Sequence, residues 1–130
     1  MKNVMAISIT IFISLLFFTS CNNNSGNSKS EVQFGSYVGF FGICDKMTSV
    51  TTKLEYNNDE ISGEYSYGKI TGELTNCTLN NNKLTCDWVE LKNSAGKFEA
   101  IFNDNFSEFI GIWYLSENIY EGSWTGKRTN

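Results

Sequence analysis

The stretch Ile61-Ser62-Gly63-Glu64-Tyr65-Ser66-Tyr67-Gly68-Lys69-Ile70-Thr71-Gly72-Glu73-Leu74-Thr75 decides the fold. Ile61, Gly63, Tyr65 and Tyr67 alternate with Ser62, Glu64 and Ser66. After Gly68 the pattern restarts, with Ile70, Gly72 and Leu74 alternating with Thr71, Glu73 and Thr75. Successive side chains of a strand point to opposite faces, so each half has one apolar and one polar face. Two such runs on either side of a one-glycine break read as a β-hairpin.

The same alternation extends in both directions. Val50, Thr52, Leu54 and Tyr56 form an apolar row upstream, and Tyr120, Gly122, Trp124 and Gly126 form one downstream. Trp88, Ile110, Ile112 and Tyr114 put apolar groups on both faces of their strands. Strands are predicted at 36–43, 49–57, 60–67, 69–79, 83–91, 96–103, 107–115 and 119–127. The connections are short and rich in Asn, Asp and Gly, so consecutive strands should be antiparallel neighbours. A five-residue unit of apolar, any, Gly, any, apolar recurs at Tyr37-Gly39-Phe41, Ile61-Gly63-Tyr65, Ile70-Gly72-Leu74, Phe109-Gly111-Trp113 and Tyr120-Gly122-Trp124. Glycine weakens a strand interior unless curvature or close packing needs the space, and a small closed barrel needs both. The expected fold is all-β: a single antiparallel up-and-down meander barrel of about eight strands over residues 35–130.

The first 20 residues read differently. Lys2 supplies a positive charge, Val4 to Phe18 is an apolar run, and Phe18-Thr19-Ser20-Cys21 follows. A basic n-region, an apolar h-region and small residues before a cleavage point make a secretory signal. With a cysteine just after that point, the segment resembles the lipobox of bacterial lipoproteins, with Phe18 where Leu is commonest. The resemblance implies a signal peptide over 1–20, diacylglyceryl attachment to the Cys21 sulfur, and a flexible tether over 21–34. A plain cleaved signal peptide and a retained anchor are the alternatives, though the run falls short of the ~20 residues of a spanning helix. The partners implied are a membrane, through the N-terminal lipid, and the cell envelope as a compartment. Surface-exported lipoproteins of some envelopes carry acidic residues just after the lipid cysteine. Here none precedes Glu31, which favours the periplasmic side.

Composition narrows the function classes. The chain has 130 residues, 14 acidic and 10 basic residues, and no histidine or proline. No basic block is present, so nucleic acid is not an expected partner. Without histidine there is no Ser/His or Cys/His nucleophile system and no common metal ligand. Glu64 and Glu73 on adjoining strands, and Asp87 and Glu90 around Trp88, read as solvated surface acids. No enzyme, cofactor or metal site is expected. Three cysteines remain after Cys21. Cys77 faces Cys86 if Leu79 faces Leu84, which makes a disulfide plausible. The register that pairs Leu74 with Trp88 splits them instead and frees Cys44 to take either partner. Left unpaired, Cys44 reads as a buried, inert thiol.

The architecture resembles the up-and-down barrels of the lipocalin and avidin families in pattern. Gly39-Phe40-Phe41 stands where lipocalins carry G-x-W in the first strand, and Gly111-Ile112-Trp113 and Gly122-Ser123-Trp124 have those letters in later strands. Lipocalins also place a late arginine across that tryptophan. Trp124 and Arg128 share a face here, so Arg128 is expected to cover an aromatic and plug one barrel end. No binding residue is carried over from either family. Two functions follow as expectations. One is binding of a small apolar or aromatic ligand within the barrel, by Tyr65, Tyr67, Trp113, Tyr120, Trp124 and Arg128. The other is an interaction module, an inhibitor, immunity or assembly accessory, docking onto another envelope protein through its outer surface. An open, continuous cavity would favour the first, and a filled core with an apolar outer patch the second.

Overall fold

A computed structural model describes residues 32–91, 94–116 and 119–130, without the side chains of residues 116 and 120. The expected signal peptide, most of the expected tether and Cys21 lie outside the described residues. Eight strands run in sequence: β1 (Ser36–Ile43), β2 (Lys46–Asn57), β3 (Glu60–Tyr67), β4 (Ile70–Asn80), β5 (Lys83–Glu90), β6 (Ser94–Phe102), β7 (Glu108–Ser116) and β8 (Ile119–Arg128). Each pairs antiparallel with the next, and β8 returns to β1, so the sheet is a closed meander barrel. Closure leaves no unpaired sheet edge, which matters in a chain with no proline to protect one.

Strand ends depart from expectation where turns are tighter than the sequence suggests. β2 begins at Lys46 because Cys44 and Asp45 alone make the turn, with Cys44 at φ 53°. That position exposes Cys44, contrary to the buried thiol expected. Asn58 and Asp59 both take positive φ between β2 and β3, as a two-residue hairpin turn matched to strand twist requires. Tyr56 and Ile70, expected in the inward rows, sit at strand ends beyond the packed interior and are exposed. Val32 and Phe34, expected in the tether, pack on the core instead. Phe34 meets Phe102 and Phe106 edge-on, each at 5.7 Å.

The two cysteine registers are both present. Leu79 lies opposite Leu84 and Leu74 lies opposite Trp88, with a one-residue shift between Thr75 and Thr78. Asn76 takes up the extra residue as a β-bulge, at φ 49° with its amide donating to Asp87 Oδ2. The bulge brings Cys77 alongside Cys86, and the two form a disulfide with Cα atoms 4.1 Å apart.

Inward glycines face large neighbours across the strand pairs. Tyr65 lies opposite Gly72, Trp88 opposite Gly96, Trp113 opposite Gly122, and Phe109 opposite Gly126. A Cβ on Gly72 would fall 2.2 Å from Tyr65 Cζ, and one on Gly126 would fall 2.3 Å from Phe109 Cε1. The rings therefore lie flat over strands that offer no side chain of their own. That lets a narrow barrel hold many aromatics while bending.

The interior fills in layers. At the end carrying the N-terminal segment and the C-terminus, Tyr37 packs on Phe102 and Phe109, and its hydroxyl donates to the Phe106 carbonyl at 2.8 Å. In the middle, Trp124 packs on Phe98 and Tyr65, each at 4.7 Å, and its indole N–H donates to Thr52 Oγ1. That bond satisfies the one buried polar side chain in the core of the described residues, where a lost partner would cost about 1–3 kcal/mol. Trp88, Cys86 and Leu84 point inward on β5, while Ile110 and Ile112 point outward on β7. This assigns the two strands whose faces the sequence leaves ambiguous.

Candidate functional site

The opposite end of the barrel, which carries the β1–β2 and β3–β4 turns, is not filled by the described residues. A cleft of about 260 Å³ opens there. Its walls carry Phe41 from β1, Tyr65 and Tyr67 from β3, Trp88 and Glu90 from β5, and Trp113 and Trp124 from β7 and β8. Ser94, Leu115 and Glu121 complete the rim. Each wall residue holds an inward position of its strand, so the barrel's own alternation gathers them.

Phe41 is the hub of the aromatic wall. Its ring lies 4.4 Å from Tyr67, 5.9 Å from Trp124 and 6.1 Å from Trp113. Tyr65 and Tyr67 stack in parallel at 6.4 Å, and Trp88 meets Trp113 edge-on at 6.1 Å. Trp88 is held by its N–H, which donates to the Tyr114 carbonyl at 3.3 Å. The Trp113 N–H is buried without a partner among the described residues.

Glu90 is the polar feature of the cleft. Gly72 lies directly opposite it across β4 and β5. Because Gly72 has no side chain, the Tyr65 ring crosses β4 and its hydroxyl donates to Glu90 Oε1 at 3.0 Å. The Tyr67 hydroxyl donates to the same oxygen at 2.9 Å. Glu90 is thus part-buried in the cleft wall, not the solvated surface acid expected from sequence. Oε2 accepts no hydrogen bond among the described residues.

The tyrosines respond to this setting. Burial pushes the Tyr67 hydroxyl up to about 12, helped by its bond to Glu90, and the same causes raise Tyr65 further. Burial also raises Tyr37, at the far end, to about 12. A raised phenol gives stability that is complete below the ordinary value of 10.0 and is lost as pH climbs through the folded value. Tyr37, Tyr65 and Tyr67 should therefore stay protonated until the barrel unfolds above pH 10. Tyrosinate absorbance and far-ultraviolet circular dichroism, followed together, should show these three of the six tyrosines ionising only as strand signal is lost. Titration of all six at ordinary values with the barrel intact would contradict this.

Of the residues expected to form a ligand site, Tyr65, Tyr67, Trp113 and Trp124 come together here. The Tyr120 backbone pairs with Tyr114 at the same end, and its side chain lies outside the description. Arg128 does not join them. It lies opposite Tyr37 on β1 and donates from Nη1 to the Gln33 carbonyl at 2.6 Å. It thus sits beside Tyr37 at the closed end of the barrel, away from Trp124 and the cleft. Four residues of extended strand, about 13 Å, separate it from Trp124. The expected residues omit Phe41, Trp88 and Glu90. The inward run Leu84, Cys86, Trp88, Glu90 was the available signal for the last of these.

No protein-family model, curated protein or solved structure matches this chain. Among the described residues, no group of three or more Cys, Asp or Glu side chains converges as a metal would require. No helix of the described residues is long and apolar enough to cross a membrane.

A second surface feature lies outside the barrel. Ile101 of β6 is directly opposite Ile110 of β7, and Ile110 opposite Thr125 of β8. Thr125 Oγ1 in turn bonds the backbone of Phe40 on β1. Val38, Phe40, Ile101 and Ile110 are all exposed, Ile110 at 74%, along a shallow groove of about 530 Å³.

Proposed function

We propose that this is a non-enzymatic, lipid-anchored protein of the cell envelope that takes up a small ligand at the open end of its barrel. The observation that carries the reading is the convergence of six aromatic rings from five strands on one cleft that the described residues leave open. The cleft lies just below the usual ~300–1,000 Å³ of small-molecule sites, and its lining is mainly aromatic with few polar groups, as such sites are. The layers of Phe98, Phe102, Phe109 and Tyr37 occupy the rest of the interior. The ligand is therefore seated at the mouth, not threaded through the barrel. Lipid on Cys21, with the segment after it as tether, would hold the barrel at a periplasm-facing membrane surface.

The test has two parts. Cys21→Ala should release the protein from the membrane fraction and abolish acyl incorporation, and unchanged labelling would remove the anchor from the account. A thermal-shift screen of small neutral and charged aromatic and aliphatic compounds should find binders that raise the melting temperature. A ligand at 100 times its Kd stabilises by about 2.7 kcal/mol. Ser94→Phe, which fills the cleft from its exposed rim, should abolish those shifts. Shifts that survive this variant, or an empty screen, would sink the reading.

The apolar strip of Val38, Phe40, Ile101 and Ile110, together with the filled lower interior, favours a second reading. In it the outer face docks onto another envelope protein. Crosslinking in intact envelopes separates the two, because Ile110→Lys should abolish such a complex and leave ligand binding at the open end untouched.

A further inference from the structure

We infer that the ligand of the open cleft is a small organic cation, a quaternary or otherwise alkylated ammonium group. This rests on the ligand-binding reading above and narrows it to a chemical class. The cleft walls combine six aromatic rings with two carboxylates, Glu90 and Glu121, and include no Lys or Arg among the described residues. The faces of aromatic rings are the negative side of their quadrupole, so a ring-lined cleft attracts a cation more than a neutral group of the same shape.

Glu90 sharpens the choice. A neutral apolar ligand would take solvent from Oε2, which has no partner among the described residues, and would give nothing back. An anion would meet two carboxylates of its own sign. A cation offsets the lost hydration of Glu90 and also uses the rings. The Tyr65 and Tyr67 hydroxyls fix Oε1 from the wall side, at 3.0 and 2.9 Å, which leaves Oε2 as the oxygen open to an added charge. Gly72 makes this possible, since any Cβ there would collide with the Tyr65 ring that carries one of those hydroxyls.

The three tryptophans of the chain all line the cleft, so intrinsic emission reports occupancy. The experiment titrates the detergent-extracted protein with choline, and separately with its neutral isostere in which carbon replaces the quaternary nitrogen. Choline should bind about tenfold or more tightly than the isostere, and added salt should weaken choline alone. Glu90→Gln keeps an acceptor oxygen for both tyrosines and removes the charge. It should lower the ratio severalfold, chiefly by weakening choline. Glu121→Gln, at the rim, should lower the ratio in part and serves if Glu90→Gln disturbs the barrel. Equal binding of the two probes overturns the cation inference while the ligand-binding reading stands. No response to either probe also overturns it, and the thermal-shift screen then decides whether the cleft binds anything.

Discussion

Replacing Gly39 with alanine should destabilise the barrel by about 3 kcal/mol or more, a large share of the 5–15 kcal/mol typical of a small domain. Gly39 lies on β1 where that strand closes against β8. A Cβ there would fall 1.9 Å from the Thr125 carbonyl oxygen and 2.9 Å from Gly126 Cα. Both obstacles are backbone, so no rotamer change relieves the clash and the two strands must separate. The separation would strike the seam between Val38 opposite Lys127 and Phe41 opposite Trp124, on which closure depends. The urea midpoint of Gly39→Ala should fall steeply, whereas Gly68→Ala should fall less. A Cβ at Gly68 meets nothing within 4 Å, so only its positive φ of 56° opposes the change. Equal midpoints for Gly39→Ala and the parent protein would mean that β1 and β8 are not held as described.

Trp124→Ala should cost about 3–5 kcal/mol, the range for removing a buried large aromatic. The side chain is 2% exposed and touches Phe41, Tyr65 and Phe98. Its loss also strands the buried Thr52 hydroxyl, which the indole N–H now satisfies at 3.1 Å. Trp124→Phe keeps a ring and drops the N–H, so it should lose markedly less. A double variant that adds Thr52→Val should recover part of that smaller loss, because a buried polar pair removed together costs less than one partner removed alone. Failure of the second change to help would show that the bond does not form. Trp124 also lines the open cleft, so its variants link barrel stability to the proposed ligand site.

Much of the fold is written in alternation and turn residues. All eight strands are visible because Ser, Thr, Glu and Lys fill one face while aromatics, Leu, Val and Gly fill the other. Closure is visible more faintly, in inward glycines that make sense only where a sheet must bend. The bulge at Asn76 is not legible. One Asn at positive φ looks like any other Asn in so Asn-rich a chain, and without the bulge the Leu74 and Cys77 registers exclude each other.

The site is legible as a set of tyrosines and tryptophans, but its chemistry is not. Glu90 has the parity of an inward residue, yet a lone acid in a strand is ordinarily assigned to the surface because burying its charge is costly. What makes it tolerable is tertiary: a glycine across the strand pair and two tyrosine hydroxyls reaching over it. Arg128 shows the converse. It shares the inward face with Trp124, but parity gives the face and not the depth, and it lies at the closed end beside Tyr37. Cys44 escapes a composition-based expectation of burial because a two-residue turn leaves it no wall to face.

Native mass spectrometry of the protein extracted from membranes in mild detergent tests the central claim most directly. The account predicts a mass excess from a single small molecule in the native spectrum, absent after denaturation and absent from Ser94→Phe in both. A native mass equal to the denatured mass of the same chain, or an excess that Ser94→Phe retains, would contradict a ligand seated in the open end of the barrel.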